Sequence, residues 1–321
     1  MRLSLRLLLL LCLAAPAGCG GDPPAESPPA VPEAPARSTA DSAPGADTPD
    51  AGTLTGLPKK NGSLRFAVIG DTGRGDRLQY MTAATMVEWR ERFDYDFVLM
   101  LGDNIYGERG LAEDYAQRFE RPYKPLIDAG VPFHAAIGNH DPPGQEHYPL
   151  FNMGGRRYYA FEKEEGSLRP LFTHTVLFMA IDTVNLTRQQ LRWIDGTLAE
   201  SDAAWKIAYF HHPLYTSGRY QLGASQLRAS LEPIFIRHGL DVALAGHEHF
   251  YERLTSQNGI QYFISGAGGA LRPNDMRRSG WTAAGFDTDT HFMLMEIAGD
   301  TLYFVAISRT GEIVDSGTVR R

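Results

Sequence analysis

The chain predicts an α/β fold in a single folded domain, residues 59–321, on three observations. From Ser63 onward short apolar runs alternate with longer amphipathic segments, the pattern of strands and helices in turn rather than of a barrel of hairpins. Beyond residue 290 the pattern changes to strand-like runs separated by Gly299-Asp300 and Thr310-Gly311, which reads as an antiparallel meander. Between these, Asp71, Asp103, Asn139, His211 and His247 each stand at, or within two residues of, the end of an apolar run, the edge at which open α/β sheets bind ligands.

Taken in order, the first segment is an address. Arg2 and Arg6 form a positive n-region, Leu7–Leu13 an apolar core too short to cross a bilayer, and Ala14–Gly18 a small-residue end, so residues 1–18 are expected to be a signal peptide. Cys19 follows Pro16-Ala17-Gly18, which resembles the lipobox of bacterial lipoproteins except that Pro16 stands where such boxes carry Leu. The expectation is an exported protein, lipid-anchored at Cys19 in the cell envelope or else secreted, whose only membrane contact is that anchor. Residues 19–58 are the tether: nine of the 20 prolines fall between residues 20 and 60, and no aromatic residue does. Such a stretch buries too little apolar surface to offset the entropy of ordering it.

Strands are expected at Arg65–Ile69, Phe97–Leu101, Phe133–Ile137, Thr175–Ile181, Ala204–Phe210, Val242–Ala245 and Gln261–Ser265, each a short apolar run. Helices are expected at Arg77–Arg92, Leu111–Arg121, Thr187–Ala199 and Ala224–Arg237, where apolar residues recur at helical spacing. The meander is His291–Ile297, Thr301–Ser308 and Glu312–Val319.

Composition narrows the function. A net charge of −7 and the absence of any basic cluster beyond pairs such as Arg156-Arg157 and Arg277-Arg278 argue against nucleic acid as a partner. The two cysteines, Cys12 and Cys19, both precede residue 20, which leaves the folded part no thiolate, so any metal there takes N and O ligands. Those ligands are present in five motifs: GDTG from Gly70, GDNIY from Gly102, GNHD from Gly138, FHHP from Phe210 and GHEHFYER from Gly246. Singly each is weak, since Gly-Asp after a strand is as often a turn. Together they assemble carboxylate and amide oxygens with imidazole nitrogens, a set that suits a pair of divalent or trivalent cations.

The five motifs resemble those of the calcineurin-like metallophosphoesterases, and the Tyr of GDNIY together with GHEHFYER resembles the purple acid phosphatase branch. The resemblance implies a four-layer α/β/β/α sandwich and two metal ions, with Asp71, Asp103, Tyr106 and His249 on a ferric ion and Asp103, Asn139, His211 and His247 on a divalent ion of iron, zinc or manganese. Asp103 would bridge. It also implies hydrolysis of small phosphorylated substrates by a hydroxide activated between the ions. The chemistry agrees: two cations ~3.5–4 Å apart clamp a phosphoryl group and activate water, and a phenolate such as Tyr106 is a donor that a ferric ion deprotonates. His140 is expected to stabilise phosphoryl charge or protonate the leaving alkoxide, Asp141 to orient that imidazole, and His212 to face substrate.

Other candidates have blander readings. His134, His147, His174, His238 and His291 are expected to be surface or satisfied core histidines, and Gly266–Gly269 a tight turn rather than a phosphate nest; Tyr215 and Arg219 follow FHHP on a loop within plausible reach of substrate. Three functions remain: a phosphomonoesterase, a phosphodiesterase or nucleotidase on the same scaffold, and an exported binder without turnover, which has no use for His140 beside a full ligand set. With the tether in the place of a lid domain, the site is expected to be open and broad in specificity. The oligomeric state is left undetermined.

Overall fold

The computed structural model describes residues 56–107, 110–166 and 174–321. The expected signal peptide, the Cys19 anchor and all of the tether except Gly56–Pro58 lie outside the described residues.

The first half runs β1 (Leu64–Ile69), α1 (Arg77–Arg92), β2 (Phe97–Met100), α2 (Ala112–Tyr115), α3 (Lys124–Asp128), β3 (Phe133–Ala135) and β4 (Tyr159–Glu165). The second runs β5 (His174–Ile181), α4 (Arg188–Glu200), β6 (Trp205–Phe210), α5 (Gln221–Arg237), β7 (Val242–Ala245), β8 (Tyr251–Leu254), β9 (Gln261–Ser265), β10 (Thr282–Phe286), β11 (His291–Ala298), β12 (Thr301–Ser308) and β13 (Ile313–Arg320). They form a six-stranded sheet in the order β13-β12-β11-β1-β2-β3 and a seven-stranded sheet in the order β10-β8-β9-β7-β6-β5-β4. Strands β1, β2 and β3 are parallel, as are β5, β6, β7 and β9, so two sets of strand ends point the same way within their sheets.

The apolar runs of the second sheet have two destinations. Along β5, Val176, Phe178 and Ala180 join the core between the sheets, whereas Leu177, Met179 and Ile181 join a second core with Ile194 and Leu198 of α4 and Leu231 and Phe235 of α5. A strand buried on both faces reads as a continuous apolar run, which is why these strands were legible. Phe66 of β1 and Phe97 of β2 meet Phe178 edge-on, each with ring centroids 5.3 Å apart, and this contact closes the two sheets against each other. On the first sheet α1 packs through Ala83, Met86 and Trp89. The result is the α/β/β/α sandwich.

The single helix expected at Leu111–Arg121 is broken. After α2 the chain makes a wide turn over Ala116–Glu120, closed by Arg121 N donating to Ala116 O at 2.9 Å, and then restarts as α3, in which Pro125 supplies no amide for a continuous ladder. Three strands were not expected. β4 and β10 are sheet edges, where burial on one side leaves no apolar run. β8 lies inside the GHEHFYER motif, where the sequence reads as a loop.

Candidate metal centre

Each metal-ligand candidate is delivered by the loop at a strand's carboxyl end. Asp71 follows β1, Asp103 and Tyr106 follow β2, Asn139 follows β3, His211 follows β6, and His247 and His249 follow β7. Because β1, β2 and β3 are neighbours in one sheet and β6 and β7 in the other, the five loops meet across the sandwich. The turns are sharp: Asp71, Asp103 and His247 have positive φ of 56°, 51° and 70°, a region that costs a non-glycine residue free energy and that clusters at functional sites. Gly138 is required by close approach, since a Cβ there would overlap the backbone nitrogen and Oδ1 of Asp103.

The donor atoms fall into two groups about Asp103. On one side the Tyr106 hydroxyl lies 3.3 Å from Asp71 Oδ1 and 3.2 Å from His249 Nε2, and His249 Nε2 lies 3.3 Å from the same Asp71 oxygen. On the other side His211 Nε2 is 2.9 Å from Asn139 Oδ1 and 3.1 Å from His247 Nδ1. Asp103 Oδ1 accepts the His140 amide at 2.8 Å and sits 3.3 Å from His211 Nε2. Its Oδ2 is buried with no hydrogen-bond partner.

This arrangement is short of positive charge. His211 Nδ1 faces the Leu101 carbonyl at 3.0 Å, and a carbonyl only accepts, so Nδ1 carries the proton and Nε2 turns a lone pair toward the Asp103 oxygen. Burial holds the imidazoles neutral: it drives His211 well below its ordinary value, His247 down to about 2 and His249 down to about 3. Burial, and then Asp103, push the Asp71 carboxyl well above its usual range. Burial with Asp71 and Asp103 raises the Tyr106 phenol. Neutral imidazoles facing two buried carboxylates, one with an orphan oxygen, are what a cation pair would satisfy. The residues fit two ions.

The neighbouring candidates divide. His140 is exposed at the lip, with its ring centroid 4.8 Å from that of Tyr106. Asp141 does not hold the His140 imidazole. Instead its carboxylate accepts from Gly138 N at 2.7 Å, Ile105 N at 2.9 Å and Asn104 Nδ2 at 3.0 Å, which lashes the GNHD loop to the GDNIY loop. His212 lies close enough to His211 and His247 for the three rings to share an ion. Thr183 Oγ1 accepts the His212 amide at 2.9 Å and lies 3.3 Å from Nδ1, so the loop after β5 fixes both the backbone and the ring of His212.

Tyr215 and Arg219 turn away from the centre. Tyr215 is buried and donates to Glu232 at 2.8 Å, and Arg219 pairs with Asp275 through contacts of 2.6 Å and 2.9 Å. The glycine amides of Gly266–Gly269 are spent on the backbone: Gly266 N bonds Phe250 O at 3.2 Å, Gly268 N bonds Gly70 O at 2.8 Å and Gly269 N bonds Asp71 O at 3.1 Å, as a tight turn requires. Among the remaining histidines, His238 bonds Asp195 and His291 bonds Ser265, but His134 is packed by stacking, with neither ring nitrogen hydrogen-bonded. Two neighbours of the centre were missed. Arg272 places Nη2 3.3 Å from His249 Nε2, and Tyr220 lays its ring 4.2 Å from that of His247. Both come from irregular segments, where a basic or aromatic residue carries no positional signal.

The calcineurin-like phosphoesterase model matches residues 64–251, which holds every ligand candidate. Purple acid phosphatase 17 of Arabidopsis thaliana is 28% identical over 237 residues, 65% of this chain and 70% of that one. Tartrate-resistant acid phosphatase type 5 of Mus musculus is 25% identical over 246 residues, 66% of this chain and 74% of that one. Among solved structures, GAP50, the anchor in the inner membrane complex of Plasmodium, superposes with a TM-score of 0.71 at 20% identity over 80% of this chain and 89% of that one, a likeness of fold. This chain belongs to the calcineurin-like phosphoesterase family, whose members are hydrolytic and whose chemistry implies a dinuclear metal site.

Proposed function

We propose that the protein is an acid phosphatase that hydrolyses phosphate monoesters with a ferric ion and a divalent ion, exported and tethered through Cys19. The observation that carries the reading is the orphan Oδ2 of Asp103, buried between one donor set that includes a phenol and another built only of neutral donors. The named activities of the purple and tartrate-resistant acid phosphatases support it. Asp71, Tyr106 and His249 would hold the ferric ion, Asn139, His211 and His247 the divalent one, and Asp103 both. The ions would supply water activation and charge neutralisation at the phosphoryl group.

The chain's own residues do the rest. The His140 amide bond to Asp103 sets the loop, and its exposed ring is the proton donor nearest the lip, placed to protonate a departing alkoxide. Arg272 adds a fixed positive charge beside His249, where phosphoryl oxygens gain negative character in the transition state. His212 lies on the His247 side, with its ring centroid 4.4 Å from that of His247.

The deciding experiment is metal analysis with a visible spectrum on the purified protein, followed by monoester and diester assays across pH. Two ions per chain, one of them iron, with faster monoester turnover is the expected result. Zinc or manganese at both positions in a colourless protein would overturn the ferric assignment, and faster diester turnover would overturn the monoesterase reading in favour of a phosphodiesterase.

A further inference from the structure

Two cavities flank the metal centre, and they differ in chemistry. One, of about 450 Å³, opens around His140 and is lined by Tyr106, Asn139, Asp141 and the Pro142-Pro143 rim. The other, of about 510 Å³, opens from His247 and His212 toward the first turns of α5. Its walls are apolar where Leu186, Pro213, Ala224 and Leu227 line it, and no Asp, Glu, Lys or Arg is among the lining residues. Tyr220 forms the wall nearest the centre, its ring 4.2 Å from His247 and held from outside by the Arg272 guanidinium, 5.5 Å from the ring centroid. The volume is that of a small-molecule site.

We propose that this second cavity seats the alcohol portion of the substrate and selects phosphate esters whose leaving group is uncharged, largely apolar and about the size of an aryl ring. The inference rests on the phosphomonoesterase reading. A phosphoryl group held at the centre has the His247 and His212 rings beside it, and both rings also line the cavity, so the ester oxygen's substituent has a direct path into it. There an apolar group gains by leaving water, whereas a carboxylate or second phosphate would lose its hydration to walls that supply no counter-charge. Tyr220 contributes aromatic surface to the wall beside His247. The site at the metals remains open; the selection acts on what is attached to the phosphate.

The test compares esters with matched chemistry. Ethyl phosphate, 2-phenylethyl phosphate and 2-carboxyethyl phosphate all release a primary alcohol, so differences in kcat/KM report the pocket rather than leaving-group acidity. The wild type should favour 2-phenylethyl over ethyl phosphate by about tenfold or more, the scale on which hydrophobic pockets discriminate, and should disfavour the carboxyethyl ester. Gly223 lines the cavity, and a Cβ built there meets nothing within 4 Å, so Gly223→Phe adds bulk at the cavity from a position with room for its Cβ. That variant should bring the phenylethyl-to-ethyl ratio down toward one. Leu227→Lys places a charge in the wall and should raise the carboxyethyl-to-ethyl ratio. A wild-type ratio near one, or ratios that neither variant moves, overturns the pocket assignment while the phosphatase reading stands. Absence of turnover on all three esters by the metal-loaded protein overturns both.

Discussion

The backbone N–H of His247 donates to Asp71 Oδ2 at 2.8 Å. Asp71 belongs to the loop after β1 and His247 to the loop after β7, so this bond ties one sheet to the other at the floor of the metal centre. Gly246 makes it possible: a Cβ there would stand 2.6 Å from the same carboxylate oxygen. Asp71 thereby divides its two oxygens, Oδ2 for the architecture and Oδ1 for the group with Tyr106 and His249. The candidate ligands are positioned by the fold itself, so loss of one that serves a single ion should empty that metal position without unfolding the chain.

Asn139 and His140 are adjacent but should behave differently. Both are exposed, but Asn139 Oδ1 sits 2.9 Å from His211 Nε2 in the donor set, whereas the His140 ring lies against Tyr106, with ring centroids 4.8 Å apart. Asn139→Ala is expected to lose the divalent ion and most of the turnover. His140→Ala is expected to keep both ions and lose about 10²-fold or more in kcat, the scale of a general acid. Metal content and kcat measured on the same preparations check the split; full activity in His140→Ala would remove the residue from the reaction.

Tyr106 gives an optical signature. The protein with ferric iron in place should be coloured through phenolate-to-iron charge transfer, and Tyr106→Phe should bleach it while His247 and His211 retain the divalent ion. A visible spectrum with parallel metal analysis reads this directly. Colour that survives in Tyr106→Phe would place the phenol outside the iron's ligands.

The parts of this molecule legible in its sequence are those with a periodic or positional signature. The β5 run was legible because Val176 and Leu177 bury opposite faces, and the candidate ligands Asp71, Asp103, His211 and His247 because each stands within three residues of the end of an apolar strand. β4, reading Tyr-Ala-Phe-Glu-Lys-Glu-Glu, was not, because an edge strand with one solvated face offers too little contrast. The role of Asp141 was misread for a different reason. A carboxylate next to a histidine in sequence suggests partnership, but the turn at Gly138–Asp141 points it at the Gly138 amide of its own loop and at the Ile105 amide and Asn104 Nδ2 of the GDNIY loop. Arg272 and Tyr220 reach the centre through loops after β9 and before α5, where only three-dimensional closure brings them near His249 and His247.

The proposed anchor at Cys19 is tested by fractionation. Cys19→Ser should move the protein from the membrane fraction to the soluble exported fraction and leave specific activity unchanged, since the folded domain that carries the ligands begins about forty residues later by sequence. Unchanged membrane fractionation would show that the cysteine is no anchor.

His134 predicts an acid weakness outside the metal centre. It lies on β3 at the edge between the sheets, stacked on Phe161 with ring centroids 4.1 Å apart and meeting Phe97 edge-on at 5.7 Å, and both ring nitrogens are buried without a partner. Burial, and then the Lys163 ammonium, lower its pKa to about 4. Because the folded value is below the unfolded one, the unfolded chain binds the proton first. The stability that goes with a neutral His134 is therefore complete above the unfolded value of ~6.5 and is lost as pH falls toward about 4. Phe in its place keeps the stacking and removes the proton. Urea unfolding of the metal-loaded protein and of His134→Phe should show the variant gaining on the wild type by about 2 kcal/mol between pH 7 and pH 4. A difference that stays constant across that range would mean that the ring takes up its proton as readily in the folded protein as in the unfolded chain.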